Sequence, residues 1–568
     1  MEEKGKYTDP ELGLPASSAA HLEGKPPSLS SSSSSPSSLP AFEPIRAAST
    51  RRPSRDTARS KAASLQRSIS NNGYGCDEPV DPDTSFPEPQ SDDEKDPFEV
   101  TWDPSDRLNP RNMTLTKKWI IITITSFGSF IVTNASATYT ATYGQMAPEF
   151  HSSRLVATIG LSTFVLGIAL GPFWSPLAEF YGRRPIYLAS FLFFMIFLIP
   201  SALAQNIQTM VIARFFQGLA GSAFLSVSGG TVGDMFSREE MQLPMAIFTL
   251  APFIGPSTGP LIGGVTNSFL SWRWTHYIVL IESAVLIVSL WFFVPETYHP
   301  VLLTRKAQNL RRTTGNPNFY APTEKMTRSV LSVVSHSLLR PFQILLFEPM
   351  ALILDVYSAI LLGLLYLFFG AFPLVFSTNY GFNLWQVGLT FMGLLLAMPL
   401  AIMTMPFWNR YRNTLAERRG RKSGSGSGSG EPEGEPEDQL PMVVVAAPLI
   451  TGGLFWFGFT TYPWIHWIVP IIGSFVFGMG TMLAFTGIFT FLVDAYPRYA
   501  ASTLAGNALV RCSFAAAFPL FGIQMYEGLG FQWATGVLAF LTLAMLPFPY
   551  IFFRYGKRIR ARSKFATS

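Results

Sequence analysis

The sequence predicts an all-α membrane protein, with twelve transmembrane helices in two six-helix halves behind a disordered N-terminal tail. Three observations carry this reading. Charged residues make up only 14% of the chain against 48% hydrophobic ones, whereas a soluble protein carries about 25% charge. From Trp119 onward, about twelve apolar segments reach the roughly 20 residues a helix needs to cross a bilayer. They fall as six, a polar gap and six again, the mark of an internal repeat whose site lies between the halves at mid-membrane.

Residues 1–115 are rich in Ser, Pro and charge, with Ser28 to Ser38 nearly pure serine, so they cannot bury enough apolar area to fold. No apolar run follows Met1, and the first spanning helix is expected to serve as the targeting signal. Arg51, Arg52 and Arg67 stand beside Ser54 and Ser68, which suits kinase sites and equally a plain solvated tail. The first six spans lie near 119–141, 156–176, 186–204, 207–231, 243–265 and 276–295, within a first bundle at 116–296. A central loop at 297–347 separates them from the second bundle, 348–553. Its spans lie near 348–372, 384–407, 441–461, 465–492, 499–522 and 531–553. The loop 409–440 contains a flexible Gly/Ser/Glu/Pro linker, Ser423 to Glu437, to which no chemistry is assigned. A basic tail closes the chain at 554–568.

Basic residues crowd alternate loops: Arg183 and Arg184, then Arg238, then Arg305 to Arg340, then Arg410 to Lys422, then Arg498. The opposite set has little beyond Arg154 and Arg273. By the positive-inside rule both termini are cytosolic. The plasma membrane is the expected location and the vacuolar membrane the alternative, with no address signal legible. Two cysteines, Cys76 and Cys512, and six scattered histidines offer neither a disulfide framework nor metal-ligand spacing. No nucleotide-binding Gly-Lys-Ser/Thr loop and no nucleophile–base pair is visible, so an enzyme is not expected, no cofactor is implied, and an ion gradient is the energy source.

Five groups of residues could carry mechanism. Glu179, Gly182, Arg183 and Arg184 lie in a very short loop between two spans, where the charges can latch helices together or simply anchor the loop. Arg214 sits inside an apolar segment with Gln217 and Gly218 one turn on; a charge at membrane depth faces a cavity for a reason, or else snorkels from near the helix start. Gly255, Gly259, Pro260, Gly263 and Gly264 bend a span or let a neighbour approach its backbone. Glu282, Asp355 and Asp494 are carboxyls in or at the ends of spans, and low dielectric favours the neutral, proton-carrying form of such groups. The rival reading places Glu282 and Asp355 near the headgroups, simply ionised. Tyr357, Tyr366, Phe368, Phe369, Phe372 and Phe376 suit a flat hydrophobic ligand or plain helix packing.

These residues resemble the major facilitator superfamily, in particular the fungal twelve-span drug:proton antiporters that include polyamine exporters, over about residues 98–560. Ser175-Pro-Leu-Ala-Glu-Phe-Tyr-Gly-Arg-Arg184 is similar to the family's loop motif between spans two and three, with Ser175, Glu179 and Phe180 as departures. Arg214, Gln217 and Gly218 match a motif of span four. Gly255 to Gly264 matches the antiporter motif of span five, with Ala246 in place of its first glycine. Pro295 to Ala307 and Tyr499 to Asn507 look like further fungal segments. The resemblance implies that Glu179 caps the start of span eleven, that Arg183 or Arg184 pairs with Asp234 to lock an outward-open state, and that Arg214 couples proton movement to the cavity. It also implies a small-molecule exporter driven by protons, acting in the lipid bilayer as a monomer without nucleic acid. Span one offers no acid, which leaves Glu282, Asp355 or another group as proton carrier. A polyamine or organic-acid carrier and a transporter-like receptor are the alternatives.

Overall fold

Twelve helices are long and apolar enough to cross a membrane in the computed structural model, which describes residues 98–103, 105–237, 240–325, 330–422, 435–561 and 563. The expected tail up to residue 97, Arg238, Arg328 and the linker residues 423–434 lie outside the described residues. The first half comprises α1 (Leu115–Glu149), α2 (Arg154–Tyr181), α3 (Arg183–Ala202), α4 (Ile207–Met235), α5 (Leu243–Phe269) and α6 (Arg273–Phe293). Two shorter helices, α7 (His299–Thr314) and α8 (Val330–Phe347), occupy the central loop. The second half comprises α9 (Pro349–Tyr380), α10 (Leu384–Leu415), α11 (Pro436–Phe459), α12 (Ile468–Ala495), α13 (Ala500–Leu529) and α14 (Phe531–Arg560). Among the described residues the chain is helical apart from one isolated bridge, Glu99 to Tyr320.

Packing repeats between the halves. In the first, α1 lies on α5, α2 on α4, and α3 on both α4 and α6; in the second, α9 lies on α13, α10 on α12, and α11 on both α12 and α14. The same ordinal pairs recur, so the six-gap-six pattern is a structural repeat. The halves meet along two reciprocal seams, α2 against α13 and α5 against α10. Small residues set the close approaches. A Cβ on Gly218 of α4 would fall 1.9 Å from the Phe164 carbonyl of α2, and one on Gly388 of α10 2.6 Å from the Pro260 carbonyl of α5, so backbones touch where a side chain would separate them.

Residues 98–103, 105 and 106, within the expected tail, have a defined place against α7. Val100 and Tyr320 exchange backbone hydrogen bonds with this strap and its partner loop, Val100 N to Tyr320 O at 3.0 Å and Tyr320 N to Phe98 O at 3.1 Å. Val100, Ala307 and Ala321 bury together, and Lys306 donates to Asp106 at 2.6 Å, to Asp103 at 3.3 Å and to the Thr101 carbonyl at 3.1 Å. The Lys306 hydrogen bond holds the Asp106 carboxyl below its ordinary 3.8. Burial works against the Lys306 ammonium, but Asp106 and Asp103 hold it above its ordinary 10.5 all the same. The Asp106 contribution is therefore complete above pH 3.8 and lost as pH falls through the lowered value; that of Lys306 is complete below pH 10.5 and lost as pH rises through the raised one. Deuterium uptake at residues 98–106 should stay level between about pH 5 and 9 after correction for intrinsic exchange. It should rise there on Lys306→Met, and unchanged uptake would show that the ion pair does not hold the strap.

Candidate functional site

The loop motif is held in place by a partner its own sequence does not contain, Glu296. Gly182 has φ 98°, a left-handed conformation that favours glycine, and a Cβ there would fall 2.3 Å from Glu296 Oε2. The turn starts α3 with its first N–H groups aimed at that carboxylate: Arg183 N donates to Oε1 at 2.8 Å and Arg184 N to Oε2 at 3.3 Å. Glu296 Oε1 also accepts from the N–H groups of Thr297 and Tyr298 at 3.0 Å. An anion at a helix N-terminus meets both free donors and the positive end of the helix dipole. Arg183 then reaches α4, its Nε donating to Asp234 Oδ2 at 3.1 Å while its guanidinium lies 4.7 Å from the Tyr298 ring centre. Of the two arginines, Arg183 makes this pair; Arg184 donates to the Trp291 carbonyl at 2.7 Å. Glu179 is half-buried near the end of α2, a segment that packs on α3, α4 and α8.

The second half carries a counterpart built as an ion pair. Arg560, at the end of α14, donates from Nε and Nη2 to the two oxygens of Glu437 at the start of α11, both at 2.8 Å, and both side chains are buried. Third and sixth spans are thus tied on the same face in each half. In the first the acid follows the sixth span; in the second it begins the third. This corrects the reading of Ser423 to Glu437 as a linker without chemistry, since its last residue is one arm of a buried bidentate pair. Asp494 accepts from Gln439 at 2.8 Å.

Inside α4 Arg214 is 1% exposed, which excludes snorkelling. It donates to the carbonyls of Ala135 at 2.9 Å, Ser136 at 3.2 Å and Gly160 at 3.4 Å, between the rings of Tyr139 and Phe164 at 4.3 and 4.2 Å. Helix α1 tightens into a 3-10 turn at Tyr139–Thr142, and the Tyr139 N–H turns to Ala137, leaving the Ala135 carbonyl to the guanidinium. Gln217 ties α4 to α3, donating to the Phe197 carbonyl at 2.8 Å and to Ser201. Asp355 on α9 is fully buried; its Oδ1 accepts from Asn507 of α13 at 2.9 Å, and its Oδ2 has no partner. Glu282 is half-buried on α6 with one buried oxygen unpartnered. The sequence reading missed Arg511 of α13, although the rule that singled out Arg214, a lone charge inside a span, finds it too.

The span-five motif divides its work. Cβ atoms on Gly255, Gly259 and Gly263 would come within 2.1, 2.5 and 2.7 Å of Thr133, Ala137 and Thr138 on α1, while one on Gly264 would meet the Leu384 carbonyl of α10 at 2.9 Å. Pro252, Pro256 and Pro260 recur every fourth residue, each removing one helical hydrogen bond. Three glycines seat α5 within its half, and Gly264 with Pro260 meets the other half. Beside this contact a cavity holds about 910 Å³ of empty space, part of it open solvent, between Tyr143, Arg154 and Thr158 of the first half and Phe369 and Phe391 of the second.

Glu296→Ala leaves the first N–H groups of α3 and those of Thr297 and Tyr298 without their carboxylate, while Arg183 keeps Asp234. Leaving a buried donor unsatisfied costs about 1–3 kcal/mol. The variant should lower the unfolding midpoint of the detergent-purified protein well below that of Arg184→Ala, and equal midpoints would show that Glu296 does not organise the latch.

Residues 125–519 match the family model of the Major Facilitator Superfamily. The chain is 50% identical over 461 residues to the efflux pump atB of Aspergillus terreus, covering 81% of this chain and 88% of that one. It is 39% identical over 483 residues to YHK8 of Saccharomyces cerevisiae, which is named a probable drug/proton antiporter, covering 84% and 91%. In three dimensions it matches the xylose transporter XylE of E. coli with a TM-score of 0.52 and 15% identity, over 77% of this chain and 99% of that one, a likeness of fold alone. With twelve helices paired alike in two halves, and a family match that runs from α1 into α13, this chain belongs to the Major Facilitator Superfamily.

Proposed function

We propose that this protein is a secondary active transporter that exports small drug-like or metabolite molecules in exchange for protons, by rocking its two halves around a site at their seam. The observation that carries the reading is Asp355, a carboxyl buried between α9 and α13 with one oxygen held by Asn507 and the other without a partner. A carboxyl so placed can take and release a proton where neither water nor a permanent counter-ion fixes its charge. The names of the relatives, an efflux pump and a drug/proton antiporter, support the direction and the coupling ion. A polyamine carrier would need several acids along its path, whereas Arg214 and Arg511 outnumber Asp355 near the seam.

In this reading the face with the latches is cytosolic, as the positive-inside rule requires, and both termini lie there, in the plasma membrane. Arg183, Asp234 and Glu296 hold the cytosolic ends of the first half together, and Glu179 caps the start of α13 when that side is shut. Arg214 keeps α1, α2 and α4 in register beside the cavity. Proton uptake at Asp355 and cargo binding alternate, and α5 and α10 hinge over their glycine contact.

Inside-out vesicles with an acid interior and a pH-sensitive dye test the coupling, with a lipophilic cation, an azole, spermidine and a dicarboxylate added in turn. At least one compound should dissipate the gradient with the wild type and fail to do so with Asp355→Asn, while cargo exchange in the absence of a gradient persists. Proton flux that survives in Asp355→Asn would remove Asp355 from the coupling step.

A further inference from the structure

We propose that Arg511 anchors a binding site for an anionic group, so that the cargo class is an apolar or aromatic molecule bearing a carboxylate. The inference rests on the exporter reading and adds the chemistry of what is exported. Arg183 is engaged by Asp234, Arg214 by three carbonyls and Arg560 by Glu437, and Arg184, whose Nε is also buried without an acceptor, donates from Nη2 to the Trp291 carbonyl. Arg511 has its Nε buried without an acceptor, and its guanidinium lies 4.9 Å from the ring centre of Phe489 and 5.7 Å from that of Phe485, both on α12. Part of the residue remains accessible.

Its neighbours place it at the seam between the halves. Phe485 stacks on Phe253 of α5, ring centres 4.8 Å apart. Tyr366, whose hydroxyl lies in the fields of both Arg511 and Arg214, shares a 3.0 Å hydrogen bond with Ser136 of α1. Both contacts cross from one half to the other. Asp355 is close enough to act on Arg511 electrostatically, yet it makes no ion pair with it and turns Oδ1 to Asn507.

A guanidinium in a low-dielectric site with unused donors is poorly compensated until an anion supplies acceptors, and its planar fork fits a carboxylate through two parallel hydrogen bonds. The rings of Phe485 and Phe489 extend that fork with an apolar wall for the rest of the molecule. A cationic cargo would instead meet two arginines against one aspartate.

The test is equilibrium binding to the purified full-length protein of three probes: 2-naphthoate, the neutral 2-naphthamide with the same rings, and tetraphenylphosphonium. A hydrogen-bonded charge that the amide lacks should make naphthoate bind about 10- to 100-fold tighter than naphthamide. Arg511→Gln should abolish that preference and Arg511→Lys should restore part of it. Equal binding of naphthoate and naphthamide by the wild type, tighter binding of tetraphenylphosphonium, no naphthoate binding up to its solubility, or a preference that survives in Arg511→Gln would each overturn the proposal. Should Arg511→Gln fail to fold, the wild-type comparison and Arg511→Lys decide. Proton-driven uptake in inside-out proteoliposomes separates the two readings. A naphthoate preference without proton-driven movement of any probe overturns the exporter and leaves the anion site. Proton-driven movement of tetraphenylphosphonium without a naphthoate preference does the reverse.

Discussion

A charge carried into a bilayer must bring its own solvent, and that constraint organises the rest of this molecule. Even mild scales put an uncompensated arginine at mid-membrane at about 3 kcal/mol. Arg214 escapes that cost because α1 abandons α geometry at Tyr139–Thr142 and yields a carbonyl it would otherwise have used itself. The side chain in turn joins α1, α2 and α4 at one point. On the face that holds the latches the same logic selects Gly182, because a side chain there would displace the carboxylate that serves both α3 and its arginine.

The repeat is a repeat of packing and not of charge. Helix pairs recur in the same order, whereas the tie between third and sixth spans is a carboxylate on backbone N–H groups in one half and a buried ion pair in the other. Contacts between the halves are of another kind: Ser162 to the Ala516 carbonyl at 2.6 Å, Ser136 with Tyr366 at 3.0 Å, and the glycine approach of α5 to α10. Neutral hydrogen bonds contribute about 1 kcal/mol each, against several for breaking a buried ion pair. Each half is therefore stiff relative to the seam, as alternating access around a seam requires.

The helices were legible in the sequence because hydropathy accumulates along the chain, and each span carries its own signal. The pair of Arg183 with Asp234 followed from the resemblance. Glu296 did not, although its segment was noticed, because nothing local tells a carboxylate that its partners lie 113 residues away. Glu437 was hidden twice, at the end of a low-complexity run and 123 residues from Arg560. Gln217, one turn on from Arg214, bonds Ser201 of α3, since the span-four spacing announces a polar face without saying which helix it meets. Asn507 belonged to a segment singled out by resemblance alone, and only the approach of α13 to α9 shows why an amide stands there.

Polar satisfaction also separates what holds the fold from what the transporter uses. Asp234, Glu437 and Arg560 are paired with opposite charges within the protein and Glu296 accepts from four backbone N–H groups, so any rearrangement there must first break these contacts. Asp355 Oδ2 and Arg511 Nε are buried near the seam with capacity to spare, and each is a few helical turns from a contact that joins the halves. Native proteins leave few buried polar atoms unpartnered, and such atoms ask for an explanation. Here one acceptor and one donor, of opposite charge and held apart by Asn507, suit two different arrivals: a proton for the carboxyl and an anion for the guanidinium. Were the two side chains to pair directly, each would cancel the other's reason to bind. Asn507 takes Asp355 Oδ1 and leaves the two charges unpaired with each other, which is the arrangement that the proposed proton and anion sites need.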